Sequence, residues 1–252
     1  DVFKVSGRGE LQMAILIETM RREGFEFSVS RPEVLFQEID DVIHEPVEEV
    51  VVDVLTDYSN KVIDNLQKRK GIMQGMSQEG ENNRIEFRVP SRGLIGFRGE
   101  MLTETRGTGI MHQQFDGYEP YAGEIPGRTR GALIALEKGD VTGYALEGVQ
   151  DRGTFFVEPG DSVYMGMVVG TNNRSDDMVV NVAKKKALTN HRASITADSI
   201  KISQAKKMSL EECIEFIAND ELLEVTPESL RIRKKFLDHN ERKREEKKKA
   251  GV

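Results

Sequence analysis

The stretch Arg84 to Met101, RIEFRVPSRGLIGFRGEM, carries an alternating strand through a proline into a glycine-spaced helix start. Ile85, Phe87 and Val89 share one face and Arg84, Glu86 and Arg88 the other, the period of two that marks a half-buried strand. Pro90 removes a backbone donor and ends the strand, and Ser91 offers a hydroxyl to cap the helix start. Leu94, Phe97 and Met101 then recur at helical spacing, with Gly93, Gly96 and Gly99 on a separate strip. A glycine inside a helix costs roughly 1 kcal/mol against alanine, so three of them imply close approach of another group. That neighbour is either a packed backbone or a phosphate.

Working outward, Val47, Val50 to Val52, Val54 and Leu55 predict a β-rich strand, and Tyr58, Val62, Ile63 and Leu66 a helix. Gly71 to Met76 predicts a second strand, the GENN turn leads into the central stretch, and Gly109 to Phe115 closes the set. The order βαββαβ is that of a ferredoxin-like domain, an antiparallel sheet with both helices on one face. Upstream, Asp1 to Val5 predicts a strand, Leu11 to Arg22 a helix stopped by Gly24, and Phe25 to Ser30 another strand. Two strands and one helix cannot cover a sheet, so this segment is expected to be a partial ferredoxin-like unit completed by chain that precedes it.

After Tyr118 glycines recur between short apolar runs such as ALIAL and VYMGMVVG, the texture of a small barrel or sandwich. Helical period returns at SLEE, where Ser209 and Glu212 form a capping box. VTPESL predicts a further helix with Thr226 as its cap, continued by RIRKKFL. The fold class is therefore α+β: a ferredoxin-like domain over residues 45–120, a partial ferredoxin-like unit over 1–36, and a β-rich, barrel-like domain with C-terminal helices over 121–252.

The 252 residues carry a net charge of -7, with 38% hydrophobic and 6% aromatic residues and no tryptophan, so the cores must be aliphatic. The single cysteine, Cys213, rules out an internal disulfide, and with no long apolar run or signal peptide the chain reads as cytoplasmic, without a membrane partner. The charge is uneven. Residues 1–182 hold 19 basic against 31 acidic side chains, whereas residues 183–252 hold 17 against 12. The basic excess lies at Lys184 to Lys186 and in the tail from Arg231 to Lys249, blocks that are candidates for phosphate backbones, although the run after Arg242 has the composition of a solvated, frayed helix end.

Catalytic signatures are missing from the sequence. His44, His112, His191 and His239 have no metal-ligand spacing, no nucleophile stands in a recognisable context, and GLIGFRG matches neither the dinucleotide nor the phosphate-loop pattern. The TDYSN loop after the first strand of the ferredoxin-like domain has no arginine to hold an acyl phosphate. What remains is Asn172 to Ser194. There Arg174, Lys184, Lys185, Lys186, His191 and Arg192 are interleaved with Asn190 and other hydrogen-bonding residues, a mixture able to neutralise phosphates and bind 2′-hydroxyls. A solvated hairpin would have the same composition. Arg92, Arg98, Arg128 and Arg130 are secondary candidates.

Four stretches resemble the BipA/TypA-type translational GTPases, relatives of elongation factor G and LepA: SGRGELQMAILIETMRREGFEFSVSRPEV, VPSRGLIGFRGEMLTETRGTGIM, IPGRTRGALI, and SDDMVVNVAKKKALTNHRAS with DELLEVTPESLRIRKKFL. The resemblance implies that residues 1–36 are the second half of an elongation-factor-G-like third domain, 45–120 the fifth, and the rest the family-specific domain. It further implies a GTPase domain upstream that would hold GTP or ppGpp with magnesium, so that this chain is a fragment, binds no cofactor and is no enzyme by itself. The implied partners are the 70S ribosome, rRNA, ribosomal proteins and the acceptor end of A-site tRNA, met by a monomer linked to stress adaptation and large-subunit assembly. The RNA-contacting loop would be Asn172 to Ser194. Where the family often has GKKLTN this chain has KKKALTN, which leaves open which lysine faces RNA.

Overall fold

The computed structural model describes residues 2–7, 9–125, 127–185 and 202–249. They divide into two compact units, one of Pro32–Gly127 and one that joins Asp1–Arg31 to Arg128–Val252. The chain begins with α1 (Glu10–Arg22) and β1 (Phe27–Ser30), whereas residues 2–5 form no strand. Helix α1 buries Ala14 and Ile17 and leaves Leu11 and Ile15 exposed.

The unit from Pro32 to Gly127 contains β2 (Gln37–Ile39), β3 (Val42–Leu55), α2 (Thr56–Lys68), β4 (Ile72–Glu79), β5 (Asn82–Pro90), α3 (Ser91–Leu94), α4 (Phe97–Glu104) and β6 (Ile110–Pro120). Strand β3 pairs antiparallel with β5 and with β6, and β5 with β4, giving the order β6-β3-β5-β4 expected of the ferredoxin-like arrangement. Val50, Val52, Ile85 and Phe87 of the sheet close on Val62 and Leu66 of α2 and on Phe97 and Met101 of α4.

The glycine-spaced stretch behaves as a packing device. A Cβ at Gly93 would lie 2.7 Å from the Arg69 carbonyl oxygen, so the neighbour that glycine admits is backbone. Gly96 has φ of 74°, a left-handed turn that splits the expected helix into α3 and α4.

In the second unit, downstream of β1, lie β7 (Ala132–Ala135), β8 (Gly139–Asp140), α5 (Gly143–Glu147), a 3-10 turn at Gln150–Arg152, β9 (Gly153–Phe155), β10 (Ser162–Val163), β11 (Val168–Asn172) and β12 (Met178–Val180). The chain ends with α6 (Leu210–Phe216), β13 (Glu221–Val225), β14 (Leu230–Lys234) and α7 (His239–Lys249). The expected barrel is an open sheet, ordered β12-β7-β11-β9, beside a three-stranded sheet β1-β13-β14 and the short β8–β10 pair. Among the described residues β12 lies parallel to β7 and pairs with no other strand, so the sheet keeps two free edges and does not close.

Alternate residues of β7 enter different cores. Ala132 and Ile134 meet α1, α6 and the three-stranded sheet, while Leu133 and Ala135 meet Leu146, Phe155 and Val169. Burial on both faces explains why ALIA is apolar throughout.

The capping box at Ser209 and Glu212 forms as its sequence predicts. The helix predicted at VTPESLRIRKKFL does not. Thr226 and Ser229 close a turn, with Thr226 N donating to Ser229 O and Ser229 N to the Thr226 hydroxyl, and RIRK continues as β14. Ile232 and Lys234 point inward at a period of two, which outweighs the helix-start chemistry of Thr-Pro.

Between β2 and β3 both loop residues, Asp40 and Asp41, have positive φ, 52° and 61°. A two-residue hairpin of this kind favours glycine in the second position. Asp41→Gly should therefore stabilise the Pro32–Gly127 unit by about 0.5–1 kcal/mol, read as slower hydrogen exchange of β3 and β5 amides; unchanged or faster exchange would show that Asp41 relieves its strain locally.

Candidate nucleic-acid interface

Two of the sequence-selected arginines are committed to the interior. Arg92 donates to both carboxylate oxygens of Glu45 and to Gly123 O, and its guanidinium stacks 4.5 Å from the Tyr121 ring. Glu45, 1% exposed, also accepts from Ala122 N at 2.7 Å. Glu45 raises the Arg92 pKa against the opposing effect of burial. This pairing ties the end of β5 to the chain leaving β6.

Arg128 is bound in the same manner. Its two terminal nitrogens meet the Glu221 carboxylate at 3.0 Å each, one of them also donates to Phe216 O, and the guanidinium lies 4.2 Å from the Phe216 ring. Glu221 is fully buried and shares its charge with Lys234, itself 2% exposed. Lys234 Nζ reaches Glu221 at 2.9 Å, Asp220 at 2.8 Å and Asp177 as well. Burial alone would depress the Lys234 pKa, but these carboxylates outweigh it and hold it above the ordinary lysine value. The sequence reading places Lys234 on a helix; its one sequence signal for a buried strand is the alternation with Ile232.

The remaining candidates face outward. Arg98, Arg130, Arg174, Lys184 and Lys185 are exposed. Lys184 is anchored by its backbone, its carbonyl accepting from the Thr142 hydroxyl at 2.6 Å, so the side chains of Lys184 and Lys185 leave a fixed point at the end of the sheet. Arg174 and the lysines are not neighbours: Arg174 precedes β12 and the lysines come after it, so the strand separates them. Lys186, Asn190, His191 and Arg192 lie outside the described residues.

Among the described residues no group of three His, Cys, Asp or Glu side chains could hold a metal, and no helix is long and apolar enough to cross a membrane. Cys213 is buried, and that burial pushes its thiol up to about 12, so it is a packing residue of α6.

Two family models match the chain: one described as Elongation factor G C-terminus covers residues 42–129, and the TypA/BipA C-terminal domain covers 130–239. The chain belongs to the TypA/BipA family. The large ribosomal subunit assembly factor BipA of Bacillus subtilis is 50% identical over an alignment that takes in 100% of this chain and 42% of that protein. Its counterparts from Haemophilus influenzae and Salmonella typhimurium are 48% and 47% identical, each over 97% of this chain and 40% of theirs. The chain thus spans about two fifths of the length of these BipA relatives.

Two outcomes test the internal assignments. Lys234→Met should destabilise the second unit by about 3–5 kcal/mol, because Glu221 would remain buried with one cation fewer; a loss under about 1 kcal/mol in denaturant titration would contradict it. At α6, Lys206 and the Ser209 amide hold the Glu212 carboxyl below its ordinary range. The capping-box contribution should be complete above the unfolded carboxyl value of about 4.3 and fade as pH falls through the lower folded value, and Ser209→Ala should remove about 1 kcal/mol of it. Equal acid sensitivity of wild type and Glu212→Gln would refute that coupling.

Proposed function

We propose that this chain is the ribosome- and RNA-binding C-terminal portion of a translational GTPase that acts in large-subunit assembly and on 70S ribosomes. The observation that carries the reading is the pair of exposed lysines, Lys184 and Lys185, held at the sheet end by the Thr142–Lys184 bond and leading into residues 186–192. Arg92 and Arg128 are neutralised internally, so recognition falls to this stretch of sequence, with Lys186, Asn190, His191 and Arg192 as further contacts. In this reading the loop meets the acceptor end of A-site tRNA or nearby rRNA, in the cytoplasm, as a monomer. GTP or ppGpp with magnesium would bind a separate domain, and this portion would have no catalysis of its own. The exposed Leu11 and Ile15 face of α1 fits residues 1–36 as half of an elongation-factor-G-like third domain, the other half packing there. A link to stress adaptation rests on the family resemblance alone.

A second reading has support in charge. The Pro32–Gly127 unit holds 9 basic against 18 acidic residues, a balance of -9. A surface of that sign suits a basic ribosomal protein and repels phosphate.

Co-sedimentation with 70S ribosomes and 50S subunits at graded salt separates the two readings. Lys184→Gln with Lys185→Gln should weaken binding and lower the slope of log affinity against log salt by up to about 1.8 units, about 0.9 for each phosphate left without its lysine. Binding that is unaltered by this pair, with crosslinks confined to ribosomal proteins, would leave the protein-docking reading in its place.

A further inference from the structure

The four-stranded sheet has a second basic end. Strands β7, β9 and β12 begin there and β11 finishes there, because β11 is antiparallel to β7 and β9 while β12 is parallel to β7. Three arginines stand on the connecting segments: Arg130 ahead of β7, Arg152 ahead of β9, and Arg174 between β11 and β12. All three are exposed, and among the described residues none has a carboxylate within ion-pair distance. Asp177, which follows Arg174 in the same turn, is engaged by Lys234 and Arg128.

The segments are joined by backbone bonds to one turn. Gly131 N donates to Arg174 O, Asn172 N to Gly131 O and Asn173 N to Arg152 O, each at 2.8 Å. The turn itself is closed from within. Asn172, 2% exposed, donates to Asp176 O at 2.6 Å and accepts from Arg174 N at 3.2 Å. Asp177 accepts from Ala132 N at 2.7 Å and from Lys234. Gly131 permits the approach, since a Cβ there would fall 2.1 Å from Asp176 O. The arginines are thus displayed on a prebuilt frame whose ordering cost was met in folding.

We propose that Arg130, Arg152 and Arg174 form a second phosphate-binding surface for an RNA backbone, at the end of the sheet opposite Lys184 and Lys185. Neighbouring strands lie about 4.8 Å apart, so segments on β7, β11 and β9 spread the three guanidinium groups over roughly 10 Å, a span that successive phosphates of one strand can meet. Each group is permanently charged and offers a planar fork of donors matched to phosphate oxygens. Asp151 and Asp176 on the same rim reduce the local field, so the surface acts together with the lysine end, two contacts on one rigid sheet reinforcing each other. The proposal rests on the RNA-binding reading above but not on the lysines that carry it.

Binding of the whole chain to a fluorescently labelled RNA hairpin, titrated with salt, tests it, with thermal melts confirming that each variant folds. Arg130→Gln, Arg152→Gln and Arg174→Gln together should lower affinity about tenfold or more at low salt and reduce the salt slope by up to about 2.7 units. Lys184→Gln with Lys185→Gln should weaken binding further, and Asp176→Asn should tighten it. A folded triple-arginine variant with unchanged affinity and slope overturns the surface, and if the lysine pair still matters the RNA-binding reading survives without it. Loss with the arginines alone upholds the surface and removes the lysine loop. No binding of the hairpin by the wild-type chain ends both. Equal binding of a polyglutamate peptide, with the same arginine dependence, overturns the proposal by reassigning the surface to acidic proteins.

Discussion

Burial of Lys234 against Glu221, Asp220 and Asp177 is the constraint on which the second unit depends. Removing such charges from water costs several kcal/mol per ion, and only good geometry with full hydrogen bonding repays it. Here the geometry is supplied by four separate segments. Glu221 opens β13 and also accepts from Ala218 N at 2.8 Å, Lys234 closes β14, Asp177 ends the turn before β12, and Arg128 comes from the chain that enters β7. A slip of one residue in the β13–β14 ladder would turn Lys234 outward and leave Glu221 facing Arg128 alone, so the network fixes register as well as contact.

The Pro32–Gly127 unit applies the same logic on a smaller scale. Glu45 and Arg92 close the chain ends around the ferredoxin-like sheet, and Arg69 donates to Gly93 O at 2.8 Å and Ile95 O at 3.0 Å while pairing with Glu100. In both units an arginine also satisfies backbone carbonyls at the end of a short helix, Arg69 at Gly93 and Ile95 and Arg128 at Phe216. Basic residues in this protein therefore serve two ends, holding loops shut from inside or presenting charge outside, and the division decides which of them can meet a ligand.

That division is the part least legible in the sequence. The alternation of Ile85, Phe87 and Val89 carries the ferredoxin-like order, and Ser209 with Glu212 marks a helix start, because both signals are local. The strand at RIRK reads as helix because Thr-Pro resembles a helix start and because a lysine reads as solvent-facing until its carboxylates are known. Arg92 and Arg128 look available for RNA for the same reason: their partners, Glu45 and Glu221, lie 47 and 93 residues away. The open sheet escapes sequence reasoning because closure depends on which strands meet, and short glycine-flanked strands carry no sign of that.

The net charge of -7 also conceals how the chain could engage a polyanion. Its acid excess belongs to Pro32–Gly127, whereas the other unit holds 27 basic against 25 acidic residues, a balance of +2. At physiological salt the field of an exposed charge decays over about 8 Å, so a phosphate senses the few side chains beside it and little of the total. Within the second unit Asp177, beside the sheet end, is paired with Lys234 and Arg128, while Asp151 and Asp176 stay exposed. The internal salt-bridge network thereby takes up one of the carboxylates at that end, and the more completely Asp177 is neutralised by Lys234, the less it opposes the arginines displayed beside it.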